Sequence, residues 1–413
     1  MMEIIKTLRG TYDITASEIN YWHYIESEII KLFEQVDYTE IRTPIIEFQE
    51  LFLRGVGQGT DIVSKEMYSF KDKNNRYISL RPEGTAGIAR SFIENKMYAI
   101  NKIHKLWYKG PMFRYERPQQ GRQRQFTQIG IELLGVRDPR ADAEVISIAY
   151  NLLNRLSIKN FILEINSIGS SNDRINYQEN LINYLNKYNA DLDEDSKLKL
   201  QLNPLRILDT KNEKIKEILY YAPSIQDFLS DESRTHFTNL EEYLNIMLIP
   251  YRINLQLVRG LDYYNDTAFE FKANQLGAQD TICGGGRYDS LIEKLGGPST
   301  PAIGWAIGME RILNIIKNNI TLQENYIDFY IISDNFAQSQ KESIKLFSQL
   351  IKNNYKIEID LTNDQLQKKL KKANKKNAQF CIIINSSDLD NNQIIKKNMI
   401  TGEQEIIHRN SIM

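Results

Sequence analysis

The sequence predicts an α+β protein: a largely antiparallel sheet domain, a helical module inserted into it, and a smaller C-terminal α/β domain. Three observations predict it. Strand-like segments between residues 77 and 308 follow one another in hairpin fashion with few strand–helix–strand units. From about residue 170 the texture turns polar, Asn-rich and helical, which marks an insertion. After Asn318 short apolar strands alternate with amphipathic helices, giving a compact α/β domain with a parallel component. The predicted domains are 1–325, interrupted at about 170–240, and 326–413. The 413 residues accommodate two or three domains at roughly 100 to 200 residues each.

Each element has a local reason. Thr15-Ala-Ser-Glu18 has the capping-box pattern, and Ile19, Trp22, Ile25, Ile29 and Leu32 follow at helical spacing. Pro44 within Tyr38–Glu47 interrupts a helix and suits an edge or terminal strand. Tyr77 to Thr85 reads as a strand and turn, and a helix follows through Ala86, Ile88, Ala89, Phe92 and Ile93. Glu83 and Thr85 then sit near a helix N-terminus, as a cap or as holders of a ligand's ammonium group. Gly110 to Gly135 reads as two strands joined by a basic loop, with Arg114, Arg117, Arg122 and Arg124 crowded around Glu116. Planar, permanently charged guanidinium groups suit phosphate oxygens, so the loop is a polyanion site or a solvated arginine-rich turn. Ala141 to Leu156 is a helix, and Tyr177, Leu181, Ile182, Tyr184 and Leu185 mark one face of the insertion.

Alternation at Ile253, Leu255 and Leu257 predicts a strand over Arg252–Val258, running into Arg259-Gly-Leu-Asp-Tyr-Tyr264, turning at Asn265-Asp266 and returning through Phe269 and Phe271. Thr281–Cys283 is a strand ending at Gly284-Gly-Gly-Arg287-Tyr288-Asp289. Ala302–Ile307 is another, and a helix opens at Met309-Glu-Arg311. The C-terminal domain has strands at 329–332, 356–361 and 380–384 with helices at 339–351 and 364–376. Its second helix is crowded with Lys368, Lys369, Lys371, Lys372, Lys375 and Lys376, as a solvated face or a phosphate-backbone contact.

Composition excludes several classes. A net charge of -1 argues against a nucleic-acid coat or an electrostatic membrane binder, so any nucleic-acid contact is local. Two widely spaced cysteines and four scattered histidines offer neither a disulfide framework nor a zinc motif, and no protein-ligated metal is expected. No run is long and apolar enough to span a bilayer, and the N-terminus has no apolar targeting segment. There is no P-loop, and Gly55-Val-Gly57-Gln-Gly59 lacks the preceding strand of a dinucleotide fingerprint. Heavy use of Ile, Asn and Lys points to an AT-biased genome, which weakens arguments from lysine runs.

Together these motifs resemble the histidyl-tRNA synthetase family of class II aminoacyl-tRNA synthetases over nearly the whole chain. Tyr38–Glu47 resembles the class II dimer motif, Phe113-Arg-Tyr-Glu116 with Arg122 the second motif, and Gly308-Met-Glu-Arg311 the third. Arg259–Tyr264 and Gly285-Gly-Arg-Tyr-Asp289 are the segments that specify histidine. The resemblance implies a six-stranded antiparallel catalytic sheet, an inserted helical domain from near Asn166-Ser-Ile-Gly169, a C-terminal anticodon-binding domain and a homodimer. It also implies the substrates L-histidine, ATP with Mg²⁺, and tRNA(His), with no membrane partner. The wording of Gly110–Gln128 and Asp138–Glu144 is similar to cyanobacterial and algal-plastid members. That similarity implies a plastid enzyme, or alternatively one of a bacterial cytoplasm.

Carried over by resemblance, Arg114 holds the α-phosphate, Arg122 and Arg311 the γ-phosphate, Phe126 stacks on adenine, and Glu116 belongs to the ATP site. Arg259 neutralises charge growing on the α-phosphate and, with Arg114, is the catalytic pair. Glu83, Gly84, Thr85, Gln128, Glu132, Tyr263 and Tyr264, again with Arg114 and Arg259, surround the histidine. Gln119, Arg124, Lys369 and Lys372 are the implied tRNA contacts. Two departures stand out. Thr127 occupies a position where the family commonly carries His, and the chain ends at His408–Met413 without a final helix many relatives have. The competing reading is a non-catalytic regulatory paralogue of ATP phosphoribosyltransferase, which shares the catalytic fold.

Overall fold

A computed structural model describes residues 4–412 except 58, 120, 211, 274–279 and 323–325. The chain divides into two units, Met1–Thr321 and Leu322–Met413. The boundary expected at 325/326 abuts residues outside the described set.

Helix α1 (Ala16–Gln35) buries Trp22, Ile25, Ile29, Leu32 and Phe33 on one helical stripe. Its expected capping box does not form. The Thr15 hydroxyl bonds Ser17 Oγ at 3.1 Å, the Thr15 carbonyl already takes the Glu18 amide, and the Glu18 carboxylate pairs with Lys317. Strands β1 (Thr39–Glu40) and β2 (Ile46–Phe48), helix α2 (Gln49–Gly55), strands β3 (Ser69–Lys71) and β4 (Tyr77–Leu80), and helix α3 (Thr85–Glu94) follow. β2, β4 and β3 form a small antiparallel sheet. The main hairpin is β5 (His104–Phe113) and β6 (Gln125–Leu134), paired from His104–Leu134 to Phe113–Gln125.

After α4 (Pro139–Arg155) and β7 (Phe161–Ser167) comes the insertion: α5 (Ser171–Asn186), α6 (Glu194–Leu202), α7 (Glu213–Tyr220) and α8 (Asp231–Ile246). The chain returns through β8 (Tyr251–Ile253), β9 (Asn265–Ala273), β10 (Thr281–Arg287), α9 (Leu291–Lys294), β11 (Ala302–Gly308) and α10 (Met309–Asn319). The large sheet runs β1-β5-β6-β11-β10-β9-β7-β8. Its six central strands are antiparallel, and a short parallel strand closes each edge, β1 on β5 and β8 on β7.

The predicted strand over 252–258 stops at Ile253. Asn254 is the cause: its side chain takes the Gln256 amide at 3.1 Å and donates to Glu164 at 2.7 Å, and its carbonyl accepts from the Leu257 amide, so the backbone turns. β9 therefore does not fold back on β8; it pairs with β7 and β10.

Strand alternation divides β6 between two duties. Ile129, Ile131 and Leu133 face the core built with α1, α4, α8 and α10, whereas Phe126, Gln128 and Glu132 face the other side. Beneath the sheet Arg287 and Asp142 form a fully buried ion pair, with His236 Nε2 2.8 Å from Asp142 and the Thr267 hydroxyl donating to the same carboxylate. The arginine of the Gly285–Asp289 signature thus belongs to the framework.

The second unit has β12 (Ile327–Ser333), α11 (Ala337–Lys352), β13 (Ile357–Ile359), α12 (Leu366–Lys375), β14 (Ala378–Ile384), α13 (Ser386–Leu389), β15 (Gln393–Asn398) and β16 (Gln404–His408). β13, β12 and β14 are parallel, and β15 and β16 add antiparallel strands that the apolar pattern did not predict. Ile412 packs into the core of this unit.

Candidate active site

One cavity of about 190 Å³ opens on the face of β6, β10 and β11 that carries Gln128 and Glu132. Glu83, Thr85, Arg114, Glu116, Arg122, Phe126, Gln128, Glu132, Arg259, Tyr263, Tyr264 and Arg311 all line it, although they come from segments far apart in sequence.

At one end, Glu132 is fully buried between two hydroxyls. Thr85 Oγ1 donates to its Oε1 at 2.6 Å and Tyr288 to its Oε2 at 2.5 Å. Burial pushes this carboxyl up to about 8, against the two hydroxyl donors, with the nearby Glu83 charge adding to the rise. The carboxylate fits because β11 presents Gly304 opposite it in the ladder: a Cβ there would lie 1.9 Å from Glu132 Oε2. Gln128 Oε1 accepts from Tyr108 at 3.1 Å and from the Gly84 amide at 3.2 Å. Glu83 accepts the Thr85 and Ala86 amides at 2.7 and 2.8 Å, so it caps α3 while lining the cavity. Burial raises its pKa, opposed by those two amides and by Arg114.

The other end is cationic. Arg114 donates to Pro82 O at 2.9 Å and lies over the Phe126 ring at 5.2 Å. Glu116 stands between two guanidinium groups, 3.2 Å from Arg122 and 3.8 Å from Arg114. Arg311 donates to Gly121 O at 3.3 Å and to Thr281 O, and burial followed by the Arg122 charge presses its pKa down. Crowded, partly desolvated guanidinium groups are the arrangement that an arriving polyanion relieves. Between the two ends, Arg259 pairs with Glu270, whose second oxygen accepts from Thr281 at 2.9 Å. Gly284 makes room for that guanidinium, since a Cβ there would lie 2.4 Å from Arg259 Nη2.

The remaining expected residues fall elsewhere. Gln119 and Arg124 lie on the 114–124 loop, Gln119 bridged through its backbone to Arg122 and Arg124 stacked 3.8 Å over Tyr115. Lys369 is corrected: it is 2% exposed and its Nζ donates to Ser333 O at 2.8 Å, so it secures α12 to β12 instead of meeting a phosphate. Lys372 is engaged by Thr362 and Asp364 at 2.8 and 2.7 Å. Sequence reasoning missed Tyr108, Tyr288, Glu270 and Glu310. Tyr288 and Glu310 sat inside quoted motifs, and the signal was a polar residue beside an assigned one. Glu310, pushed up to about 7 by burial, accepts the Thr127 amide at 2.8 Å. That contact is to the backbone and does not depend on which side chain stands at 127.

Comparison with known proteins identifies the family. A family model described as histidyl-tRNA synthetase matches residues 10–312, and one described as an anticodon binding domain matches 321–413. The chain is 53% identical over 406 residues to the chloroplastic histidine–tRNA ligase of Pyropia yezoensis, covering 98% of this chain and 94% of that protein. It is 49% identical over 407 residues to the histidine–tRNA ligase of Acaryochloris marina, with the same coverage. Among solved structures, apo histidyl-tRNA synthetase of S. aureus superposes with a TM-score of 0.83 at 38% identity, covering 99% of this chain and 98% of that one.

Proposed function

The chain belongs to the histidyl-tRNA synthetase family, a class II aminoacyl-tRNA synthetase that attaches histidine to tRNA with ATP as substrate, and from that premise we propose how its residues divide the work. The regulatory-paralogue reading is not favoured, because close relatives matched over nearly the full chain are histidine–tRNA ligases. The observation that carries the proposal is the polarity of one cavity, with a buried carboxylate between hydroxyls at one end, three arginines at the other and Arg259 between.

Neutral imidazole has one N–H donor and one acceptor nitrogen. Glu132 accepts the N–H with lone pairs that Thr85 and Tyr288 leave free, and the Tyr264 hydroxyl donates to the other nitrogen. Gln128 and Glu83 take the ammonium end. The histidine carboxylate oxygen forms a bond to the α-phosphorus of ATP, the bond from that phosphorus to the bridging oxygen breaks, and diphosphate leaves. Positioning and charge neutralisation supply most of the acceleration in such a transfer. Arg114 holds the α-phosphate, Arg259 meets the charge that develops on it, Arg122 and Arg311 hold the γ-phosphate, and Phe126 stacks on adenine. A hydroxyl oxygen of the terminal tRNA ribose then forms a bond to the histidyl carbonyl carbon, the bond from that carbon to the phosphate oxygen breaks, and AMP leaves. Mg²⁺ comes to the site with ATP.

We place Gln119 and Arg124 near the tRNA end, and read the enzyme as a homodimer through the Tyr38–Glu47 motif. Plastid-type relatives together with AT-biased composition favour a plastid location. The test of the reaction is histidine-dependent exchange of labelled diphosphate into ATP, followed by charging of tRNA(His). Exchange no faster than a control without histidine would refute it.

A further inference from the structure

Segment 258–264 carries Arg259 yet pairs with no strand of the sheet. A segment without ladder bonds needs other partners for its backbone groups. Much of its hold comes from the helical insertion. Arg206, on the 3-10 turn Pro204–Asp209, donates from Nη2 to Gly260 O at 2.8 Å and from Nη1 to Gly59 O at 2.9 Å. Asn203 donates to Asp262 Oδ1 at 2.7 Å, and Arg174 on α5 donates to Tyr264 O.

The peptide carbonyl held by Arg206 is that of the residue directly after Arg259. One planar fork therefore ties the backbone of Arg259 to the loop after α2, a geometry that a point-charge ammonium cannot reproduce at both carbonyls. The Arg206 side chain is only 14% exposed, and its bond to Gly59 O is part-buried, whereas the Gly260 carbonyl lies at the surface. Arg206 lines a second cavity, of about 330 Å³, which shares Arg259, Leu261 and Tyr264 with the first; it is not among the residues lining the first.

We propose that Arg206 is a positioning residue for Arg259, through which the helical insertion sets where the catalytic guanidinium stands. This rests on the role assigned above to Arg259. Misplacing a catalytic group by about 1 Å costs roughly a hundredfold in rate, so Arg206→Ala lowers kcat for histidine-dependent diphosphate exchange by that order and leaves the KM for histidine nearly unchanged. Arg206→Lys, which keeps the charge and one carbonyl contact, recovers part of the rate; it also keeps the test decisive if the alanine variant folds poorly.

The full-length protein is assayed as wild type, R206A, R206K, R259A and the R206A/R259A double variant, each checked by thermal unfolding. A residue that acts through Arg259 costs little once Arg259 is gone, so the double variant is expected to match R259A alone. Equal losses from R206A in both backgrounds would overturn the inference, as would an R206A enzyme as fast as wild type while R259A is slow. An R259A enzyme as fast as wild type would overturn the assignment of Arg259 itself, and this inference with it.

Discussion

Gly304→Ala tests the histidine end of the cavity with one carbon atom. The new Cβ would lie 1.9 Å from Glu132 Oε2 and 2.4 Å from the Ile131 carbonyl, both far inside contact distance. The carbonyl lies on β6, which pairs with β11 at this point, so the carboxylate is the part that yields. Overpacking of this kind costs about 1–3 kcal/mol of stability. Turning Glu132 away from the incoming imidazole leaves the buried ring N–H without a partner, about 1–3 kcal/mol. With each 1.4 kcal/mol worth about tenfold, the KM for histidine rises roughly tenfold to a hundredfold while the KM for ATP stays close to wild type. Diphosphate exchange at varied histidine concentration, with circular dichroism to confirm the fold, measures this. A histidine KM within about twofold of wild type in a folded variant would refute the placement of Glu132.

The neighbouring strand gives the complementary result: Gly284→Ala puts a Cβ 2.4 Å from Arg259 Nη2, so single-turnover adenylation slows by roughly a hundredfold with histidine binding retained, and an unchanged rate would separate Arg259 from the chemistry. Glu132 also sets a pH dependence. Its carboxyl is pushed from 4.5 to about 8 by burial, so between those values the folded chain binds a proton the unfolded chain has released. That contribution is complete below about pH 4.5 and is lost as pH rises through about 8. Denaturant midpoints of Glu132→Gln therefore gain on wild type as pH rises, and parallel curves would contradict the raised pKa. Asp142→Asn leaves the buried Arg287 with Asp289 as its remaining carboxylate and is expected to cost about 3 kcal/mol by urea unfolding, whereas a loss under about 1 kcal/mol would mean the pair is not buried as described. Lys369→Ala lowers the thermal stability of the C-terminal unit, while Lys371→Ala on the exposed face of α12 does not; equal stability of the two would return Lys369 to the surface.

Local pattern revealed much of this molecule and missed the rest for physical reasons. The stripe of Trp22, Ile25, Ile29 and Leu32 and the clustered arginines of the 114–124 loop are properties of neighbours in sequence, and a single chain displays them. The strand expected over 252–258 failed because apolar alternation continues past Asn254, whose side chain redirects the backbone. Lysine repetition in α12 conceals that one member, Lys369, points inward to Ser333 O. Tyr108 and Glu270 were invisible because each earns its place through a partner at a distance, Gln128 and Arg259 respectively. The six antiparallel strands followed from resemblance to a family; the parallel pairing at each edge did not, since a pattern along one segment does not show which neighbour it takes.

Strand β6 is also a ruler. Phe126 and Glu132 stand six residues apart on one face, which is about 20 Å along an extended strand, and Gln128 is a fixed mark between them. Because its side chains alternate, adding or removing one residue within this stretch would send Glu132 into the helical core and bring an isoleucine or leucine to the histidine. The spacing from Phe126 to Glu132 thus fixes both ends of the site at once, whereas at Thr127 the contact to Glu310 is made by the backbone amide and not by the side chain.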